Sequence, residues 1–259
     1  MVDAATLAAA GATYDGWDER NLALELALPR VVLFDAVGST LDVAHALAAE
    51  GVPAGTLVLA DRQTAGRGRA GKQWSSPPGS GVWLTILERP RDPAALEVLS
   101  LRLGLRAAAV LERHAGGAVS LKWPNDLYVG PRKLAGVLTE ARWRESRVEW
   151  VALGVGINVV PPPDVPTAAG LEPGTRRVEL LAELVPALRA AAFATGPLTA
   201  AELAAFGARD AARGRRCASP SAGVVEGISA AGELLVRGDD GRVTAARGGS
   251  LIFAEEATS

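Results

Sequence analysis

Two long strand patterns, residues 133–142 and 147–158, are separated by little more than a turn at Glu145-Ser146. Parallel pairing needs a crossover of a dozen or more residues, so these two segments must lie antiparallel. A further turn at Gly130-Pro131 precedes them and extends the meander. Upstream, 31–34, 56–61, 82–87 and 119–123 read as strands, and helical spacing runs from Ser39-Thr40 to Gly51, over 94–115, 177–194 and 199–213. Ser39 stands where a helix N-cap belongs. Segment 21–28 fits a strand or a short helix equally. After Arg215 the pattern changes to short strands with turns at Ala231-Gly232, Asp239-Asp240-Gly241 and Gly248-Gly249. The expected fold class is α+β: a mixed, largely antiparallel sheet packed with helices in residues 1–214, then a small SH3-like β-barrel in 215–259.

Composition removes several function classes. The 259 residues, 49% hydrophobic and 22% charged, exclude disorder and collagen-like structure. The 27 Lys+Arg against 29 Asp+Glu leave a net charge of −2, so no whole-molecule field drives binding to nucleic acid or anionic membrane. Any basic function must be local. No uncharged apolar run is long enough to span a bilayer, and no basic residue precedes Arg20, so neither a membrane partner nor a secretory signal is expected. A lone Cys217 suits a reducing compartment, and a cytoplasmic location is expected. His45, His114 and Cys217 are too few soft ligands for zinc, and both histidines fall on helical patterns, where a surface or core-edge role is the simpler reading.

Residues 62–81 are rich in Gly, Arg, Ser and Pro without periodicity and read as a long loop. Within it, Gly66-Arg67-Gly68-Arg69-Ala70-Gly71-Lys72-Gln73-Trp74 matches G-x-G-x-x-G. That dinucleotide fingerprint requires a helix opening at its end, whereas Ser75-Ser76-Pro77-Pro78-Gly79 follows. The phosphate-loop pattern fails too, since Gln73 has no hydroxyl for magnesium. What remains is a flexible main chain carrying Arg67, Arg69 and Lys72, suited to wrapping an anionic ligand, or else a solvated or nucleic-acid-binding RGR tract.

Lys122-Trp123-Pro124-Asn125-Asp126 puts a cation, an aromatic ring, an amide and a carboxylate around one turn, able to hold phosphate, magnesium and an attacking amine. The simpler account makes Trp123 a core residue and Pro-Asn-Asp a plain turn. Lys133-Leu134-Ala135-Gly136-Val137-Leu138 and Gly154-Val155-Gly156-Ile157-Asn158 each expose strand backbone through glycines, giving a flat ligand a surface, or marking bulges.

With GRGRAGKQW, KWPND, KLAGVL and GVGIN in that order, the chain resembles the biotin protein ligase family (biotin–acetyl-CoA-carboxylase ligases), closely over 34–158 and more loosely in the C-terminal β segment. The resemblance implies a class II synthetase-like catalytic fold. It implies an enzyme that joins biotin to the α-phosphate of ATP with Mg²⁺, releases pyrophosphate, and passes the biotinyl group to a lysine of a biotin carboxyl carrier protein. It places Ser39, Thr40, Leu41 and Gln63 at the ring end of biotin, Arg67 at its carboxylate, Gly68 and Arg69 at the adenylate phosphate, and Lys133 at the carboxylate–phosphate junction. Gly136 and Gly154 would give main-chain contacts to biotin. Lys72, Trp74, Lys122, Asn125 and Asn158 would serve the nucleotide. Asp126 would serve magnesium and the incoming lysine. Lys133, Arg67, Arg69 and Asp126 are the catalytic set implied.

Two departures matter: Leu41 stands where Asn or Met is expected, and 161–174 matches poorly, so no role is assigned there. The roughly 38 residues before Ser39 are too few for the DNA-binding repressor module of some members, so no DNA partner is expected, and the chain is expected to be a monomer or weak homodimer. Two other readings stay open. A lipoate-type ligase shares the acyl-adenylate logic, and a non-enzymatic nucleic-acid-binding module would use the RGR loop with Trp74.

Overall fold

A computed structural model describes residues 12–90 and 92–257. Residues 1–11, on which the expected absence of a secretory signal largely rests, lie outside the described residues. The undecided segment is helical: α1 (Glu19–Glu25) starts on Asp18, whose carboxylate accepts from the Asn21 amide at 2.7 Å.

One seven-stranded sheet forms the body. Its strands are β1 (Arg30–Val37), β2 (Thr56–Gln63), β3 (Gly81–Glu88), β4 (Val119–Lys122), β5 (Asp126–Val129), β6 (Arg132–Arg144) and β7 (Arg147–Asn158), in the order β1-β2-β3-β7-β6-β5-β4. Only β1 and β2 are parallel, because α2 (Thr40–Ala49) supplies the crossover between them. All other neighbours are antiparallel, and β6 and β7 pair from Ala135↔Ile157 to Arg144↔Arg147, as their short turn requires.

Side chains alternate across the sheet, and the two faces are covered unequally. Val31, Leu33, Leu57, Val137, Val155 and Ile157 face α3 (Leu99–Leu111) and α4 (Arg177–Ala192) in the larger core. Val32, Phe34, Val58 and Ala60 face α2 in a smaller one. Ten residues of α2 cannot cover a seven-stranded face. The remainder, over Gly136, Leu138, Gly154 and Gly156 of β6 and β7, is roofed by the 62–81 loop, and the space between them is the cleft described below.

Several sequence expectations shift. The helix expected over 94–115 begins as a 3₁₀ segment, Pro93–Val98, capped by Asp92, and its α-helical part ends at Leu111, which leaves His114 beyond it. The helix expected over 199–213 is α5 (Ala200–Gly207), opened by a Thr199–Glu202 capping box. The KWPND segment is no loose turn: β4 and β5 form a tight hairpin with Lys122 opposite Asp126. Trp123 is 3% exposed and donates Nε1–H to the Gly232 carbonyl at 2.9 Å, the core role of the simpler account.

The C-terminal strands β8 (Arg216–Ser219), β9 (Gly223–Ile228), β10 (Leu234–Arg237), β11 (Val243–Ala246) and β12 (Ile252–Phe253) make a sheet ordered β11-β10-β9-β8-β12. Its edge strands β11 and β12 do not pair, so the sheet is open where a closed barrel was expected. The two residues of β12 reach only β8. No described helix is long and apolar enough to cross a membrane.

Candidate active site

The cleft, about 360 Å³, lies between the loop, the start of α2, the β6–β7 floor, the β4–β5 hairpin and the C-terminal segment around Ser250–Glu256. Every sequence-selected residue lines it except Asn158. Asn158 is 3% exposed, donates Nδ2–H to the Lys133 carbonyl at 3.3 Å, and faces an adjoining cavity of about 580 Å³ that shares Trp74 and Lys133 with the main cleft. The 161–174 segment borders this second space, and Lys133 N–H donates to Thr167 O at 2.8 Å.

One end of the cleft is a neutral polar network. Gln63 Oε1 accepts from both the Thr40 amide at 2.9 Å and the Thr40 hydroxyl at 3.2 Å. Thr85 donates its hydroxyl to Thr40 Oγ1 at 2.9 Å, and Gln63 Nε2 donates to Ser76 Oγ at 3.0 Å. Ser39 occupies the N-cap position of α2, yet its side chain makes no capping bond and lines the cleft instead.

The floor is glycine. Gly136 and Gly156 are direct cross-strand partners, and the Trp74 indole lies on both: a Cβ would come within 3.0 Å of the ring at Gly136 and 2.7 Å at Gly156. Gly154 sits under Leu41, which a Cβ there would meet at 3.1 Å. The room above Gly154 is therefore taken by Leu41. Buried Trp74 Nε1 has no hydrogen-bond partner and is a donor turned to no acceptor of the protein.

The other end is charged. Lys133 Nζ is 2.7 Å from Asp126 Oδ1 and 5.0 Å from the centre of the Trp74 ring. Arg69 reaches Asn125 Oδ1 at 3.5 Å, while Asn125 Nδ2 donates to Val137 O at 2.6 Å and pins the hairpin to β6. Burial draws the Arg69 guanidinium below its ordinary value, and Asp126 opposes this. A partly desolvated cation whose direct partner is a neutral amide favours the approach of an anion. Lys122 Nζ lies 3.4 Å from Glu256 and 4.5 Å above the Phe253 ring, so the C-terminal segment closes this side. Tyr128, absent from the sequence-selected set, is pushed up to about 12 by burial, with Asp126 and Glu256 adding to it, and it stays a hydroxyl donor.

Arg67 points elsewhere. Its Nη2 is 3.0 Å from Asp42 and 2.8 Å from Glu140, seven residues along β6 from Lys133. Two carboxylates on one guanidinium hold it by charge-assisted hydrogen bonds, so Arg67 lines the cleft from its α2 side. Gly156 belongs to the GVGIN motif, whereas nothing local in the sequence marks Asp42, Glu140 or Tyr128. They enter through sheet register and tertiary packing alone.

Comparison with known proteins gives the same picture. The profile of the Biotin/lipoate A/B protein ligase family matches residues 34–158. The chain is 40% identical over 140 residues to the bifunctional ligase/repressor BirA of Bacillus subtilis (strain 168), covering 54% of this chain and 43% of that protein, so it spans less than half the length of that relative. It is 34% identical over 219 residues to the biotin--[acetyl-CoA-carboxylase] ligase of Paracoccus denitrificans, covering 75% of this chain and 89% of that protein. Among solved structures, the biotin protein ligase from Aquifex aeolicus in complex with biotin and ATP superimposes with a TM-score of 0.69 at 25% identity, over 85% of this chain and 97% of that one. The chain belongs to the biotin protein ligases of the Biotin/lipoate A/B protein ligase family.

Proposed function

We propose that this chain activates biotin with ATP and transfers it to a lysine of a biotin carboxyl carrier protein. The observation that carries this reading is one cleft with a neutral hydrogen-bonding end at Thr40 and Gln63 and a cationic end at Lys133 and Arg69. Biotin has that polarity: a ureido ring that needs donors and acceptors, and a carboxylate that needs cations. A dithiolane ring offers the Thr40–Gln63–Thr85 network nothing to bond, which argues against lipoate. An outward-facing nucleic-acid patch is disfavoured because Arg67 is spent on Asp42 and Glu140, and Arg69 faces inward.

In the first step a biotin carboxylate oxygen attacks the α-phosphorus of ATP, the bond to the bridging oxygen breaks, and pyrophosphate leaves. In the second the neutral amine of the carrier lysine attacks the acyl carbon, AMP leaves with the bonding pair, and the amine gives up a proton. Two unit negative charges at 4 Å repel by about 4 kcal/mol at an effective dielectric near 20. That is roughly a thousandfold in rate, so a fixed cation at the junction has an effect of the size required. Lys133 and Arg69 supply it, and Asp126, already on Lys133, is the group placed to take the proton.

Among the described residues no three acidic, His or Cys side chains gather to hold a metal, and Asp126 is engaged by Lys133. The residues present do not build a resident metal site. Magnesium is read as arriving on the nucleotide, and no step is assigned to it.

The stretch 1–214 is read as the catalytic unit and 215–259 as a C-terminal β module of SH3-like size that packs into the same core and supplies Glu256 and Phe253 to the Lys122 side. The chain is read as cytoplasmic.

Incubation with MgATP, biotin and a biotin carboxyl carrier domain is expected to add one biotinyl mass to the carrier and release AMP and pyrophosphate. An unmodified carrier with no biotin-dependent pyrophosphate would reject the reading. Gly156→Ala, which would force the Trp74 ring off the floor, is expected to raise the KM for biotin about tenfold, measured by adenylate formation. An unchanged KM would remove Trp74 from the account.

A further inference from the structure

The Arg67 guanidinium is gripped from two elements. Its Nη2 lies 3.0 Å from Asp42 Oδ1 in α2 and 2.8 Å from Glu140 Oε2 in β6. Glu140 Oε2 also lies 2.9 Å from His45 Nε2, and Trp150 Nε1 donates to His45 Nδ1 at 3.0 Å. An indole N–H can only donate, so Nδ1 accepts and the ring hydrogen sits on Nε2, facing Glu140. Trp150, His45, Glu140 and Arg67 thus form a continuous chain in which every donor meets an acceptor.

Position argues against a role at the reacting groups. Glu140 follows Lys133 by seven residues on β6, a backbone separation of roughly 20 Å. Arg67 is therefore bound to a carboxylate well along the strand from Lys133. The hydrogen bonds of residues 66–74 run within 66–76, apart from those of Arg67 and Arg69. The Thr64 and Ala65 amides fix the start of the loop to Val37 O and Gly38 O, each at 2.8 Å, and Arg67 adds the side-chain tether that carries the next turn into the α2–β6 gap.

We infer that Arg67 is a positioning residue: its guanidinium staples the loop between α2 and β6 through Asp42, Glu140 and His45, and so sets the Gly66–Gly68 main chain over the ring end of the cleft. This rests on the biotin reading of that cleft. Each pair is partly exposed and weak alone, and the effect comes from their sharing one guanidinium.

The test compares Arg67→Gln, the pair Asp42→Asn with Glu140→Gln, and all three together. Adenylate formation gives kcat and the KM for biotin and for ATP, and the rate of protease cleavage within 64–74 is followed without ligands. The staple predicts a rise of about tenfold in the biotin KM and faster loop cleavage in both Arg67→Gln and the carboxylate pair, with no further change when all are combined. Glu140→Asp with Asp42 intact should recover most of the loss. Additive effects, a drop in kcat confined to Arg67→Gln, or unchanged loop cleavage would overturn it. Should the unaltered protein make no adenylate, the biotin reading fails, and loop cleavage alone then decides the staple.

Discussion

Lys133→Ala should lower the rate of biotinyl-adenylate formation by about a hundredfold or more while leaving the chain folded. Lys133 Nζ stands 2.7 Å from Asp126 and over the Trp74 ring, at the charged end of the cleft. The side chain is about a third exposed, so its removal empties no core. Removing it leaves Asp126 as an unbalanced carboxylate where two further anions must meet, which adds repulsion as well as subtracting attraction. The loss should fall on kcat, because the cation is needed most as charge grows on the phosphate oxygens. Single-turnover measurement with ATP labelled in the α-phosphate reads it directly. Near-normal adenylation would remove Lys133 from the junction.

Gly81→Ala should destabilise the protein by about 3 kcal/mol, a fall of roughly 10 °C in the thermal midpoint for a chain of this size. A Cβ at Gly81 would stand 2.3 Å from the Trp83 ring and 2.5 Å from the Ile157 carbonyl. Neither yields: Trp83 is 1% exposed, and Ile157 O belongs to β7, paired along its length with β3. Gly81 also closes the functional loop, since its carbonyl accepts from Tyr14 and Arg177, each at 3.3 Å, and Arg177 is anchored in turn by Asp15 and Asp61. Denaturant titration with an unchanged slope checks the value. Stability within 0.5 kcal/mol of the parent, on the order of an ordinary surface change, would mean that the start of β3 shifts freely.

Much of the architecture is legible in the chain because its signals are local. The short turn at Glu145-Ser146 settles the pairing of β6 and β7, and the α2 crossover lies between Ser39-Thr40 and Gly51. Elements whose existence depends on neighbours are the ones missed. β5 has four residues, of which only Leu127 is buried, too short for a period to show. A closed C-terminal barrel was expected from turn spacing, but closure requires β11 and β12 to pair with each other, a long-range pairing that no local turn signal encodes.

The site divides in the same way. The cations and glycines announce themselves through four short motifs, and all but Asn158 meet in one cleft. The direction each side chain takes does not show. Arg67 and Arg69 are two positions apart in one tract, yet Arg69 faces Asn125 and Arg67 faces Glu140, 73 residues away. The register of β6 and the placement of α2 decide which of them meets an anion of the protein itself.

The most direct test of the central claim, that this cleft condenses a ring-bearing carboxylate with ATP, is biotin-dependent exchange of labelled pyrophosphate into ATP, run beside an identical reaction with lipoate. The account predicts exchange with biotin, little with lipoate, and loss of the signal in Lys133→Ala. Exchange with lipoate in preference to biotin, or none with either acid, would contradict it.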